Sequence, residues 1–262
     1  MKIVVITGAA SGLGWALAQR FFARGDHIVL VDCNAALLAE REQALATPER
    51  VKTAVLDLTD AAALVAFADS LCREFPQIDV LVNNAGITHR SPVILTQPSV
   101  LHRVMHVDYH AVVNLTLALY PALEAAKGSI ISIGSMAGWM PVPGRAAYCA
   151  AKSALHQFFE TFRAEVRARG VKVLMVYPSF LDTPIEKNAL GADGKPASHA
   201  RSTIGKVRSA DWMANSIVQA LESGRERLFP DRFSALAAIL YRLWPTFFHR
   251  QIARRFAGEM PT

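Results

Sequence analysis

Cysteine is scarce: Cys33, Cys72 and Cys149 are the three in 262 residues. Thiols so few and so scattered exclude a disulfide framework and a four-ligand metal site, and they read as reduced. Charge is sparse as well, 19% of residues against 52% hydrophobic, which excludes long disordered or low-complexity stretches. No uninterrupted apolar run reaches the ~18 residues of a bilayer-spanning helix. The short run that opens the chain enters glycines too soon for a signal peptide, so a cytoplasmic protein is expected. No repeat and no linker divides the sequence, and one domain over residues 1–262 is expected.

What is present is an alternation. Short, mostly apolar β-branched runs occur at Ile3–Ile6, His27–Val31, Val51–Leu56, Ile78–Val82, Ser129–Ile133 and Val171–Val176. Between them, helical spacing covers Leu13–Ala23, Ala35–Ala46, Ala61–Phe75, Val100–Ala126 and Ala147–Arg169. Strands apolar throughout are buried on both faces. Alternation with helices then predicts right-handed crossovers and an α/β, doubly wound parallel sheet with helices on both sides. Beyond Pro178 the pattern weakens. Residues 181–205 read as a long substrate loop, helical spacing returns at Asp211–Leu221, and Arg227–Phe229 is a candidate for one more strand.

The first strand runs into Thr7-Gly8-Ala9-Ala10-Ser11-Gly12-Leu13-Gly14, with a helix pattern directly after. Glycines at such a junction permit a tight turn, close approach of a phosphate to the backbone, and close helix–strand packing. The helix N-terminus then faces a pyrophosphate. The second strand ends at Asp32, at the distance where an acid accepts hydrogen bonds from an adenosine ribose. The same carboxylate repels a ribose phosphate, and Cys33-Asn34-Ala35 supplies no cation, so NAD is favoured over NADP. An N-cap role for Asp32 is the bland alternative.

With Asn83-Asn84-Ala85-Gly86 after the fourth strand and Tyr148-x-x-x-Lys152 further on, the chain resembles the short-chain dehydrogenase/reductase family from Lys2 to about Thr183. The resemblance implies a Rossmann fold of about seven parallel strands, a nicotinamide cofactor, and hydride transfer at an alcohol or ketone carbon. It implies cofactor contacts at Gly8, Ser11, Gly12, Leu13, Gly14, Asp32, Asp57, Leu58, Asn84, Ala85, Gly86, Tyr148, Lys152, Pro178 and Thr183, with Asn83 among the lining. It also implies a homodimer or homotetramer and a small-molecule substrate.

Tyr148 and Lys152 stand four apart and share a helix face. A free tyrosine is a poor base near neutrality. A neighbouring ammonium and an oxidised nicotinamide favour the phenolate, so a lowered pKa is expected, with Tyr148 as acid/base. Ser135 matches the family's serine that orients the substrate oxygen; a turn or cap serine is its alternative, and Ser132 its rival. Two positions depart from the family pattern. Val107-Asp108-Tyr109 places Asp108 where a catalytic Asn stands, whose backbone carbonyl holds a relay water in the family. Its carboxylate is expected to pair with Lys152 or to hold a proton. Pro178-Ser179 replaces Pro-Gly.

Around the substrate, Met136, Trp139, Met140, Val142, Phe180 and Leu181 point to a bulky apolar alcohol or ketone. His89 and Arg90 read as an exposed loop or as contacts to a polar substrate group. The net charge is +6. Its excess lies wholly from Lys195 onward, where 11 Lys and Arg face 5 Asp and Glu. Within the 231–262 extension, Phe233–Phe256 mixes aromatics with Arg232, Arg242, Arg250, Arg254 and Arg255, and Pro245 is expected to break or kink any helix there. Three readings stay open: part of the pocket or a subunit interface, a contact with an anionic membrane surface, or nucleic acid, for which no reading motif is present. The function expected is NAD(H)-dependent oxidation or reduction at an alcohol/ketone carbon. The alternatives are a catalytically weak NAD sensor and a membrane-surface dehydrogenase of lipid or steroid type. No metal site is expected.

Overall fold

The computed structural model describes residues 1–198, 206–229 and 231–256. Six apolar runs form β1 (Ile3–Thr7), β2 (His27–Asp32), β3 (Val51–Val55), β4 (Val80–Asn83), β5 (Ser129–Ile133) and β6 (Lys172–Val176). The candidate at Arg227–Phe229 supplies a seventh strand of the main sheet, β9 (Arg227–Leu228), after a small pair, β7 (Leu181–Asp182) and β8 (Arg208–Ser209). The main sheet has the order β3-β2-β1-β4-β5-β6-β9, and every pairing is parallel.

Strand alternation divides the core into two layers. Val4 and Ile6 of β1 face one side and Val5 the other. The first layer packs α1 (Gly12–Ala23), α2 (Ala35–Leu45) and α7 (Ala210–Glu222) through Leu17, Phe21, Leu38 and Ile217. The second packs α3 (Ala61–Glu74), α5 (Ala111–Ala125) and α6 (Ala146–Val166) through Leu64, Leu115 and Phe159. Each such side chain, fully buried, contributes about 1.5–3 kcal/mol. Side-chain caps start α2 at Asn34, α3 at Asp60 and α7 at Ser209.

The single helix expected over Val100–Ala126 is corrected. α4 (Pro98–Met105) passes into a π-helical turn at His106–His110 before α5 begins, with the Ala111 amide bonded to the His106 carbonyl. One extra residue in a turn leaves the apolar period on either side intact and escapes a periodicity reading. The wide turn carries Asp108 into the interior, with no exposure. The segment expected as a loop at 181–205 is partly pinned. β7 pairs with β8, and Leu190 bridges to His89 and Pro196; residues 199–205 lie outside the described residues. The extension forms α8 (Arg232–Leu243) and α9 (Pro245–Arg255), with Pro245 at the first helical position, where it is tolerated. Residues 257–262 lie outside the described residues.

Candidate active site

The order of the strands reverses direction between β1 and β4, and ligands of such sheets bind at the carboxyl ends there. Those ends are laced together by side chains. The Thr7 hydroxyl donates to the Val82 carbonyl (3.3 Å) and accepts from the amides of Asn84 and Ala85 (3.0 Å each). Asn84 Nδ2 donates to the carbonyls of Thr7 (3.0 Å) and Gly8 (3.2 Å). Asn83 is the exception among the expected lining residues. It is buried and donates to the Thr116 hydroxyl at 2.9 Å, since the last residue of a strand alternates away from the crevice.

Close packing at the glycine loop is literal. A Cβ on Gly14 would sit 2.1 Å from the Gly8 carbonyl oxygen, and Gly8 itself has φ +62°. Ser11 opens α1 with no side-chain cap bond, and the first turn carries no acid, so amides and hydroxyl face the crevice unopposed by negative charge. Asp32 accepts from the Ala10 amide and from the Asn34 amide, both at 3.0 Å. The helix cap is Asn34, so the N-cap alternative for Asp32 is corrected. Asp57 accepts from the Thr59 amide (2.9 Å) and hydroxyl (2.8 Å), which hold its carboxyl below the usual range. Thr183 and Pro184 lie over Gly12, 3.2–3.3 Å from where its Cβ would be. Ser179 has no positive φ, so the replacement of glycine there introduces no strain.

These groups line a single cavity of about 930 Å³. Asp32, Asp57 and Leu58 stand at one end; Gly8, Ser11, Gly12, Leu13, Asn84, Ala85 and Gly86 lie between; Ser135, Tyr148, Lys152 and Pro178 complete it. Gly14 lies behind the loop and acts through packing. The glycine cradle, the helix N-terminus and the carboxylate at the far end fit a nicotinamide dinucleotide, with Ser11–Leu13 placed for the phosphates and Asp32 for the adenosine ribose.

At the other end, Ser135 caps a short turn by accepting from the Ala137 amide at 3.1 Å, and its hydroxyl favours the Tyr148 phenolate. The cap reading and the substrate-facing reading therefore coexist. Ser132, fully buried within β5, is absent from the lining. Lys152 donates to the Ile133 carbonyl at 3.1 Å and pairs with Asp108 Oδ2 at 3.2 Å, both side chains being buried. Asp108 Oδ1 accepts from the Ile87 amide at 2.8 Å. Burial pushes the Asp108 carboxyl up, against the pull of Lys152 and Ile87. The lysine sits 5.7 Å from the Tyr148 ring centre. The expected lowering of the Tyr148 pKa is not what the chain alone produces. Burial, and then the Asp108 charge, push the phenol up, while the Ser135 hydroxyl opposes them. Burial is the larger physical reason, and the departure at Asp108 adds to it, because its carboxylate pairs with the ammonium that was to favour the phenolate.

The substrate side is apolar as expected at Met136, Met140, Val142, Phe180 and Leu181. Trp139 is corrected: it packs on His156, Tyr177 and Phe229 with Arg242 over its ring, behind the cavity. His89 and Arg90 are buried rather than in an exposed loop, held by the bridge to Leu190. Of the three readings for the tail, the pocket wall is realised, since Phe233, Leu236, Ala237, Leu240, Phe248, Ile252 and Phe256 line the cavity. Their i, i+3/i+4 spacing was the signal available in the sequence.

Comparison with known proteins agrees with this geometry. The short chain dehydrogenase profile matches residues 2–193. The chain belongs to the short-chain dehydrogenase family. It is 36% identical over 266 residues to the cattle (Bos taurus) dehydrogenase/reductase SDR family member 7B, covering 98% of this chain and 82% of the relative. It is 33% identical over 271 residues to a Drosophila melanogaster SDR family protein 7-like, covering 97% and 80%. A crystal structure of a short-chain dehydrogenase from Streptomyces avermitilis superposes with a TM-score of 0.81 at 26% identity, covering 98% of each chain. This short-chain dehydrogenase is thus an oxidoreductase of Rossmann type, and the family's cofactor is NAD or NADP.

Proposed function

We propose that this enzyme transfers a hydride between NAD(H) and the alcohol or ketone carbon of a bulky apolar substrate. The observation that carries the reading is one cavity with Asp32 at one end and Ser135, Tyr148 and Lys152 at the other, walled by Met136, Met140, Val142, Phe180 and the faces of α8 and α9. A nicotinamide held there would supply or take up the hydride. Ser135 orients the substrate oxygen, and Tyr148 takes or gives the hydroxyl proton at its own phenol oxygen. Lys152 anchors the site through Ile133 and Asp108 and would donate to the ribose of the cofactor. Asp32 selects NAD, because a ribose phosphate beside its carboxylate meets like charge. Burial, reinforced by the Asp108 charge, pushes the phenol further toward its protonated form in the free enzyme. A panel of cyclohexanol, menthol and benzhydrol with NAD, read at the nicotinamide absorbance, tests the proposal. Turnover should rise with apolar bulk; no turnover of any member, in either direction, would contradict it.

A second reading concerns location. Ile239, Leu243, Trp244 and Phe247, none of which lines the cavity, are more than half exposed on α8 and at its junction with α9, and Arg250 and Arg254 are exposed on α9. Apolar and basic side chains together suit an anionic lipid surface, and no helix among the described residues is long and apolar enough to cross a membrane. Peripheral attachment predicts co-sedimentation with phosphatidylserine vesicles, weakened by Leu243→Glu. Equal sedimentation of both proteins would contradict it.

A further inference from the structure

A buried hydrogen-bonded chain outside the catalytic group ends on the helix that carries Tyr148. His89 has no exposure. Its backbone is clamped between two loops: Leu190 donates to the Thr88 carbonyl at 2.9 Å, and Arg90 donates to the Leu190 carbonyl at 2.7 Å. Two residues on, the Ser91 amide donates to the Gly144 carbonyl at 2.9 Å, just before α6. The His89 ring then meets α6 itself, where Nε2 lies 3.1 Å from the Ala147 amide, one residue ahead of Tyr148. An amide in the first turn of a helix has no partner within the helix, so this ring nitrogen serves as its acceptor.

The far end of the chain determines which ring nitrogen carries the proton. Thr96 Oγ1 donates to the Pro92 carbonyl at 2.7 Å. Its hydroxyl proton is thereby used, so it accepts from Ser91 Oγ at 2.7 Å. Ser91 in turn accepts from His89 Nδ1 at 3.3 Å. Each hydroxyl supplies one donor, so the direction runs one way from the ring to Pro92. Nδ1 carries the proton and Nε2 is left bare for Ala147. A protonated ring would set an N–H against the Ala147 N–H. Burial, with the nearby Arg145 charge, holds the ring pKa down at about 4.

We infer that His89 is a positioning residue. Through its bare Nε2 it fixes the first turn of α6, and with it the height and direction of the Tyr148 phenol over the cavity. The inference rests on the proposed role of Tyr148 as acid/base. No atom of His89 lines the cavity, so its effect runs through the helix backbone. Substitution should therefore change the chemical step while leaving the distant NAD contacts at Asp32 and the glycine loop intact.

The test uses the full chain and three variants, with the best alcohol of the cyclohexanol, menthol and benzhydrol panel. His89→Leu keeps the bulk and removes the acceptor. It should lower kcat about tenfold or more, the scale of a small misplacement at a reacting group, with calorimetric NAD affinity essentially unchanged. His89→Gln offers an amide oxygen that reaches the place of Nε2, and it should restore kcat to near the wild-type value. Wild-type kcat in the Leu variant, parallel loss of kcat and NAD affinity, or failure of Gln to rescue would each overturn the inference. Tyr148→Phe, measured alongside, separates the two claims. If it retains turnover, the acid/base reading itself fails. If it is inactive while His89→Leu runs at the wild-type rate, only the positioning role fails. The ¹⁵N spectrum of the wild-type imidazole needs no variant to fold. Nδ1 protonated and Nε2 bare at neutral pH supports the inference; the opposite tautomer or an imidazolium refutes it.

Discussion

Replacing Asp108 by Asn alters one atom in the least exposed part of the site. Its two oxygens have separate partners: Oδ1 accepts from the Ile87 amide at 2.8 Å, and Oδ2 forms an ion pair with the Lys152 ammonium at 3.2 Å. An amide side chain has one oxygen and no charge, so it can keep the Ile87 hydrogen bond but not the ion pair. The ammonium keeps the Ile133 carbonyl at 3.1 Å, which holds the cost below the ~3–5 kcal/mol of a buried charge stripped of its partner. The chemical consequence has a definite sign. In its ionised form, paired with Lys152, Asp108 pushes the Tyr148 phenol up; Asn carries no charge, so the phenolate forms at lower pH. Alcohol oxidation, which needs the phenolate, should have its rising limb moved to lower pH and run several-fold to tenfold faster near neutrality, tenfold being ~1.4 kcal/mol. Ketone reduction, which needs the phenol, should fall away at lower pH than in the wild type. The assay is kcat/KM against pH in both directions, with thermal unfolding as the companion measurement. Superimposable profiles, or a limb moved to higher pH, would refute the reasoning. Loss of both directions in a folded protein would mean that the carboxylate itself handles the proton.

Asp32→Ala should weaken NAD and strengthen NADP; equal affinity of the unsubstituted enzyme for both, by calorimetry, would show that Asp32 does not select. Gly14→Ala must push a methyl to within 2.1 Å of the Gly8 carbonyl, so dinucleotide binding should be lost or the fold measurably destabilised, and unchanged binding and melting would contradict the packing argument. His89 also makes stability depend on pH. Its folded-state pKa, about 4, lies below the ordinary 6.5, so the unfolded chain takes the proton first as pH falls. The contribution is complete above about 6.5 and disappears on the way down to 4, up to roughly 3 kcal/mol. Urea midpoints should drop across that window and drop less in His89→Gln; an identical slope in the two proteins would exclude this source.

How far the sequence discloses this molecule depends on which physical signal each feature leaves. Strands buried on both faces leave continuous apolar runs, so β1 through β6 were legible, as was the short β9. The glycine loop was legible because its context, strand before and helix after, restricts its meaning. The π-helical turn left no trace, since its extra residue preserves the apolar spacing of α4 and α5. The burial of His89 and Arg90 was also hidden, because loops normally run on the surface and their partners, Leu190 and Ala147, are remote in sequence. Trp139 misled for the opposite reason. It sits at the carboxyl end of a strand, as ligand contacts do, yet turns back onto Tyr177 and Phe229. For Tyr148, the i, i+4 lysine and the pairing of Asp108 with Lys152 were legible, but the burial that pushes the phenol up most depends on the packing of remote elements and was not.

The central claim is that Tyr148 exchanges the proton while other residues hold the cofactor. It is tested most directly by Tyr148→Phe, with NAD affinity from calorimetry and turnover of the best alcohol measured on the same preparation. The account predicts NAD affinity within a few-fold of wild type and turnover lower by about 10²–10⁴. More than about a tenth of wild-type turnover remaining would contradict it.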